Sequence, residues 1–321
     1  MKKPLIILAG PTAVGKTELS IQLAKRHGGE IISADSMQVY KGMNIGTAKI
    51  KKEDMGGIPH YLIDKLSPKE NFHVVLFQQF AKQYINEIYA KGKIPMIVGG
   101  TGFYIQSVLY DIDFKENKTD NLFRSQLEQA AKEKGEEYLH GILMEKDPKS
   151  GKKIHPHNIK RVIRALEYFH QTGQPIAEHN EQEALKTSPY EAVYFVLNMP
   201  REELYERINQ RVDLMIEEGF VDEVKKLKEE GCLSHMVSMQ GLGYKEIFQY
   251  LEGQWELEQA VTFLKRNTRH FAKRQLTWFR REKEIVWVNK EQFHYDQKAI
   301  LDYMTGILKE KHIDLVGKEK I

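Results

Sequence analysis

The 321-residue chain has a single cysteine, Cys232. One thiol cannot build an internal disulfide framework or a cysteine-rich zinc module, and it suits a reducing compartment. No run approaches the ~18 consecutive apolar residues that a spanning helix needs, so no membrane association is expected. The apolar start, Pro4–Ala9, is broken at once by Gly10-Pro11-Thr12 and is too short for a secretory leader. Charge of one sign is scarce as well: 48 Lys and Arg face 45 Asp and Glu, for a net +3 and a pI near 8.6. That balance does not by itself announce a nucleic-acid binder. Internal repeats and low-complexity tracts are also missing. What is there is ordinary globular composition, 41% apolar, in a length that corresponds to about two units at ~150 residues each. A soluble cytoplasmic protein with a substantial core is expected.

Short apolar runs alternate with longer amphipathic segments. Leu5–Ala9, Ile31–Ala34, Ile94–Val98, Val193–Leu197 and Ile285–Val288 read as strands buried on both faces. Residues 17–26, 76–91, 201–217, 221–230, 256–281 and 296–310 read as helices. The alternation predicts an α/β fold, a P-loop NTPase-like parallel sheet flanked by helices. The pattern lapses from Phe114 to about Pro189, where polar residues (Lys115–Asp120) precede helical segments near 121–134 and 158–172. We therefore expect a core of residues 1–113 and 191–321, with a helical insertion domain at 114–190. The charged tail Lys311–Ile321 is expected to fray.

Gly10-Pro11-Thr12-Ala13-Val14-Gly15-Lys16-Thr17 matches G-x-x-x-x-G-K-[ST] in full. Such glycines let backbone N–H groups turn inward around phosphate oxygens, and the following helix aims its positive end at the same anion. Lys16 adds a mobile charge, and the Thr17 hydroxyl can ligate Mg²⁺. The strand before the motif and the helix after it are the context this chemistry requires. The motif does not choose between a nucleotide such as ATP and the pyrophosphate of another compound.

Two further strand ends carry chemistry. Ile31–Ala34 leads into Asp35-Ser36-Met37-Gln38, and ligands in parallel sheets sit outside the carboxyl ends of strands. Asp35 is a candidate general base or metal ligand, or else a residue that caps the next segment. Gln38 could read an adenine edge by paired hydrogen bonds. Ile94–Val98 runs into Gly99-Gly100-Thr101-Gly102, where the glycines allow close backbone approach and Thr101 offers a hydroxyl. Arg211, closing Arg207–Arg211, is a second candidate cation for a pyrophosphate.

These residues resemble the bacterial tRNA dimethylallyltransferases (tRNA isopentenyltransferases). The matches are GPTAVGKT (10–17), ISADSMQVY (32–40), GTAK (46–49), PHYLID (59–64), IVGGTGFY (97–104), His155-Pro156, KRVIRALE (160–167), GYKE (243–246) and TRHFAKRQLTW (268–278). They follow the family's order along nearly the whole chain. The resemblance implies transfer of a dimethylallyl group from dimethylallyl pyrophosphate to N6 of the adenosine 3′ to the anticodon, in tRNAs reading U-starting codons. It implies a P-loop that holds the donor's pyrophosphate with Mg²⁺, and Asp35 as the base. Thr101 would donate a hydrogen bond toward the oxygen that leaves the prenyl carbon. The tRNA anticodon stem-loop would meet Asp35, Ser36, Met37, Gln38 and Thr101, with Arg124 and the helix Lys160, Arg161, Val162, Ile163, Arg164. A monomer is expected. Val14 stands where the family often has serine, and Lys160 where glutamine is common. The single cysteine excludes the cysteine-bearing zinc finger of some eukaryotic relatives.

The near-neutral total hides local concentrations of charge. Residues 265–283 hold eight cations against Glu282, with Arg266, Arg269, Lys273 and Arg280 at roughly helical spacing and Phe271, Trp278 and Phe279 between them. Such a stripe suits a phosphate backbone, and most of these aromatics suit a core. Lys146, Lys149, Lys152, Lys153, Lys160, Arg161 and Arg164 form a second concentration, against Asp147. The rival readings are a small-molecule or nucleoside P-loop kinase and a nucleotide-driven RNA-binding switch. The kinase explains the P-loop, Mg²⁺ and Asp35, but neither the basic stripes nor the order of the other motifs.

Overall fold

Strands in a parallel sheet covered on both faces need apolar side chains on both sides, and the runs around Leu5, Ile31, Ile94 and Val193 meet that need. The structure, a computed structural model, describes residues 2–114 and 121–313. The expected polar run Lys115–Asp120 and most of the tail Lys311–Ile321 lie outside the described residues. The strands are β1 (Lys3–Ala9), β2 (Gly29–Ala34), β3 (His60–Tyr61), β4 (Ile94–Gly99), β5 (Tyr190–Asn198) and β6 (Ile285–Asn289). All pair in parallel, in the order β3-β2-β4-β1-β5-β6, with Leu8 beside Val98 and Phe195. The expected α/β parallel sheet is borne out. The two-residue edge strand β3 was not foreseen, since two residues carry no period.

The helices are α1 (Lys16–His27), α2 (Val74–Ala90), α3 (Gly102–Leu109), α4 (Asn121–Lys134), α5 (Glu136–Lys146), α6 (Pro148–Lys153), α7 (Ile159–Thr172), α8 (Ile176–Ala184), α9 (Arg201–Glu217), α10 (Phe220–Glu229), α11 (Tyr244–Leu251), α12 (Leu257–Phe279) and α13 (Gln297–Glu310). Sequence reading omitted α3, whose uniformly apolar run GFYIQSVL hides its period, and the short α5, α6, α8 and α11. Among the described residues, no helix is long and apolar enough to cross a membrane.

The strand order explains where the motifs meet. From β1 the chain crosses by α1 to β2, two places away, and β4 later fills the gap between them. The connection after β4 leads to β5 on the other side of β1. The carboxyl ends of β2, β4 and β1 are thus neighbours at the point where the strand order reverses, the usual ligand crevice of such sheets. The core behind them includes Ile6, Leu8, Leu23, Met96, Phe195 and Leu197, all fully buried.

The chain divides into two compact units: Met1–Leu109 with Ser188–Ile321, and Tyr110–Thr187. The second unit holds α4–α8 around Leu139, Leu143, Val162, Ile163 and Leu166. Its α7 alternates this buried face with exposed cations, and Gly173 ends the helix in a left-handed conformation at φ 69°. Asp147 is buried and joins two helix starts. Its Oδ1 accepts the Ser150 N–H at 2.9 Å in α6, and its Oδ2 accepts the Ala177 N–H at 3.0 Å in α8. Burial raises its carboxyl pKa, but these hydrogen bonds outweigh that and hold it below the ordinary value.

Asp147→Ala should destabilise the second unit by about 2 kcal/mol, the scale of lost charge-assisted caps. Faster amide exchange in α6 and α8 is the readout. Because the folded-state pKa is depressed, the wild-type contribution is present above the unfolded value and is lost as pH falls through the folded one.

Candidate active site

The P-loop leaves β1 through Gly10, at φ +151°, where a Cβ would stand 2.8 Å from the Leu197 carbonyl oxygen. Only glycine fits that approach. Ala13 and Gly15 take φ of +65° and +91°, which turns the chain tightly into α1. Val14 is wholly buried and anchors the loop to the core, a place that suits its apolar side chain. Lys16 Nζ donates to the carbonyls of Gly10 (3.0 Å) and Pro11 (2.8 Å). Cations also hold the outside of the loop. Arg207 Nε donates to the Ala13 carbonyl at 2.9 Å, and Lys290 Nζ to the Val14 carbonyl at 3.2 Å.

Asp35 stands one residue past β2. Its Oδ1 accepts the N–H groups of Met37 (2.8 Å) and Gln38 (3.2 Å). The capping role considered from sequence is thus real. It occupies one carboxylate oxygen and fixes the direction of the group. Thr101 follows the β4 glycines and starts α3: its N–H donates to the Ala34 carbonyl at 3.2 Å, and its own carbonyl accepts from Tyr104 and Ile105.

Two cavities meet at these strand ends. The first, of about 440 Å³, is lined by Gly15, Lys16 and Thr17 of the P-loop and by Ser33, Gln38, Ile63 and Gly100. The second, of about 370 Å³, is lined by Ser36, Met37, Thr101, Phe220, Tyr244 and Arg274. Thr12, Asp35, Arg211, Phe271 and Gln275 line both. Asp35 therefore stands on the boundary between a phosphate-binding space and a more apolar one.

The charges are mutually dependent. Lys16 is pushed down to about 7, first by loss of water, then by the positive Arg211, while Asp35 works in the opposite sense. Burial also lowers the Arg211 pKa, again opposed by Asp35. Arg211 Nη1 approaches the Thr12 hydroxyl at 3.4 Å. Two desolvated cations and one carboxylate thus surround a space that favours a polyanion.

Several sequence-based expectations change. Val162 and Ile163 are buried in the core of the second unit, so of 160–164 only Lys160, Arg161 and Arg164 expose side chains. Arg124 is held by Glu128 at 3.1 Å and by the buried Glu167 at 3.4 Å, which gives it a structural charge to balance. The Gln38 amide accepts from Ser33 Oγ and donates to the Thr47 carbonyl, both at 3.2 Å. It lines the P-loop cavity, and the second cavity receives Ser36 and Met37 instead. On α12, Arg269 turns to Asn209, at 2.5 Å, so the exposed cations of that face are Arg266, Lys273 and Arg274. Phe279 is core, as expected, whereas Phe271 lines both cavities.

Sequence reading missed Gln275, Arg207 and Lys290, which brace the P-loop, and Glu223. The Glu223 carboxylate accepts the N–H groups of Asn44, Ile45 and Gly46 and the Tyr244 hydroxyl. It fixes the wall of the second cavity. The GTAK and GYKE segments carried that signal, without a residue type that would have exposed it.

A phosphate cradle, a carboxylate and a threonine on neighbouring parallel strands define a P-loop-class group-transfer fold. The IPP transferase family model matches residues 38–282. A tRNA dimethylallyltransferase of Lachnoclostridium phytofermentans is 58% identical over 311 residues, 97% of this chain and 99% of that protein. The crystal structure of the tRNA isopentenylpyrophosphate transferase of Bacillus halodurans is 45% identical with a TM-score of 0.72, covering 97% of this chain and 98% of that one. A eukaryotic dimethylallyltransferase, crystallised acting on tRNA, is 30% identical with a TM-score of 0.80, covering 95% of this chain and 80% of that one. The chain belongs to the IPP transferase family, and it is a transferase.

A depressed Lys16 must regain its proton to hold a phosphate dianion. Inorganic pyrophosphate should bind more weakly as pH rises through about 7, with proton uptake that is missing in Lys16→Met. Calorimetry in buffers of different ionisation enthalpy measures this. In the unliganded protein, the unfolded chain carries more protons between about pH 7 and 10.5, so this group's contribution to stability increases with pH across that window.

Proposed function

We propose that the protein is a tRNA dimethylallyltransferase that moves the dimethylallyl group of dimethylallyl pyrophosphate to N6 of the adenosine 3′ to the anticodon, in tRNAs reading U-starting codons. The observation that carries this reading is Asp35 at the boundary of two cavities, one lined by the P-loop and the other more apolar. The pyrophosphate lies at the P-loop, and the adenine, turned out of its loop, enters the second cavity. Flipping costs a few kcal/mol, less in a loop than in a duplex.

The chemistry follows from the groups present. The N6 lone pair forms the bond to the prenyl carbon as the bond from that carbon to the pyrophosphate oxygen breaks. The electron pair leaves with pyrophosphate. Attack makes N6 positive, and Asp35 takes its proton. Lys16, Arg211 and the Thr101 hydroxyl stabilise charge developing on the leaving oxygens. Thr17 lines the P-loop cavity, and its hydroxyl, completed by phosphate oxygens and water, would hold Mg²⁺, which leaves the Asp35 carboxylate free to act as the base. When bound, Mg²⁺ would neutralise phosphate charge.

Exposed Lys160, Arg161 and Arg164 in the second unit, and Lys273, Arg274 and Arg280 on and after α12, supply cations for the RNA backbone. We assign the insertion at 114–190 to tRNA contact. One chain contributes Lys16, Asp35, Thr101 and Arg211, so a monomer is sufficient, and the free buried Cys232 suits the reducing cytoplasm where tRNA resides. A kinase is not favoured, because it explains neither the basic residues of α7 and α12 nor the similarity to tRNA dimethylallyltransferases over nearly the whole chain.

Incubation with unmodified tRNA and dimethylallyl pyrophosphate should add one C5H8 unit to adenosine, read by nucleoside mass spectrometry. Phosphorylation that depends on ATP without prenyl transfer would decide for the kinase. Asp35→Ala should lower kcat by ~10²–10⁴-fold with little change in tRNA affinity, and near-normal turnover would remove the base assignment. Lys16→Ala should impair use of the prenyl donor. A change confined to tRNA affinity would contradict its leaving-group role.

A further inference from the structure

Gln275 of α12 is buried where the two cavities adjoin, and both polar atoms of its amide are engaged. Its Oε1 accepts the Thr12 N–H at 3.0 Å, and its Nε2 donates to the Gly100 carbonyl at 2.9 Å. A single planar amide thus bridges the P-loop, which carries Lys16, and the β4 glycine turn, which carries Thr101 at the next position. The β1–β4 pairing ends at Ala9 and Gly99, at the base of the two loops, and beyond it the amide links Thr12 to Gly100.

Two local features fit this bridge. Gly100 has no side chain, and a Cβ there would overlap the Gln275 amide. The Thr12 N–H points to the amide and not into the phosphate space, and Pro11 has no N–H, so the phosphate-facing donors of the loop begin further along, toward Lys16 and Thr17. The bridge therefore sets which loop amides face a phosphate as well as the span between the two loops.

We propose that Gln275 is a positioning residue for the transfer. It fixes the separation of the P-loop from Thr101, so that pyrophosphate bound at Lys16 presents its bridging oxygen to the Thr101 hydroxyl. This rests on the proposed prenyl transfer. A side chain at this site need not touch the substrate: misplacement by about 1 Å of groups at a reacting centre can cost ~10²-fold in rate. The amide is chosen over apolar or charged residues of the same length by its chemistry. Only glutamine offers one acceptor to an N–H and one donor to a carbonyl at that span without adding charge beside a pyrophosphate.

The test compares wild type with Gln275→Met and Gln275→Glu, with Gly100→Ala as an independent perturbation of the same bridge. Gln275→Met keeps the volume and removes both hydrogen bonds. It should raise the KM for dimethylallyl pyrophosphate and lower kcat/KM for that donor by about 10–100-fold, with the tRNA Kd within about twofold of wild type. Gln275→Glu should be most impaired where the new carboxyl is ionised and should recover part of its activity at lower pH, where a protonated carboxyl can again donate to Gly100. A role confined to stability would lower the active fraction, reducing kcat and leaving both KM values and the shape of the pH profile unchanged. That result, or donor kinetics within twofold of wild type in Gln275→Met, would overturn the proposal. If Gln275→Met does not fold, Gln275→Glu and Gly100→Ala carry the same comparison. Failure of the wild-type protein to prenylate tRNA would refute the functional reading itself, whereas an active wild type with an unaffected Gln275→Met refutes only the positioning role.

Discussion

Two desolvated cations, Lys16 and Arg211, face one carboxylate, Asp35, at the carboxyl ends of β1 and β2. A buried charge is costly unless it is paired, and here the positive charges exceed the negative. The surrounding structure tolerates that imbalance by depressing Lys16 to about 7 and by directing its ammonium to the carbonyls of Gly10 and Pro11. In the proposed function, the donor's pyrophosphate relieves the imbalance directly. The rest of the fold holds these groups in place: the sheet order sets their neighbourhood, and α9 and α12 deliver Arg211 and Gln275 from distant sequence.

The same electrostatics divides labour between the cavities. The P-loop side is cationic and suits a leaving group that gains negative charge. The other side, with Met37, Phe220, Tyr244 and Phe271, suits a flat, uncharged ring. Asp35 lines both, and on the P-loop side it moderates the cations. Its Asx-type turn bonds to Met37 and Gln38 fix the carboxylate without adding a second charge beside it.

Legibility from sequence differed by kind of residue. The P-loop, Asp35 and Thr101 were visible because their chemistry is local: glycines that permit unusual backbone geometry, placed directly after apolar strands. Arg211 was visible only as a candidate, since a helical arginine has the same local pattern whether it faces solvent or a phosphate. Gln275, Arg207 and Lys290 were not visible, because their function depends on loops 263, 194 and 276 residues away. Val162 and Ile163 show the opposite case. They lie inside a family motif, yet the amphipathic period of α7 turns them into the core and leaves Lys160, Arg161 and Arg164 at the surface.

The strands, the phosphate loop and the helical character of the insertion were determined by the sequence itself, through hydrophobic period and glycine placement. Tertiary structure decided which charges are exposed and which are consumed, as with Arg124 on Glu167 and Arg269 on Asn209. It also decided that Asp35 borders two cavities rather than one. The physical reason is that periodicity encodes which face of an element is buried, whereas hydrogen bonds and ion pairs between remote segments depend on the order in which strands join the sheet, and no local pattern records that order.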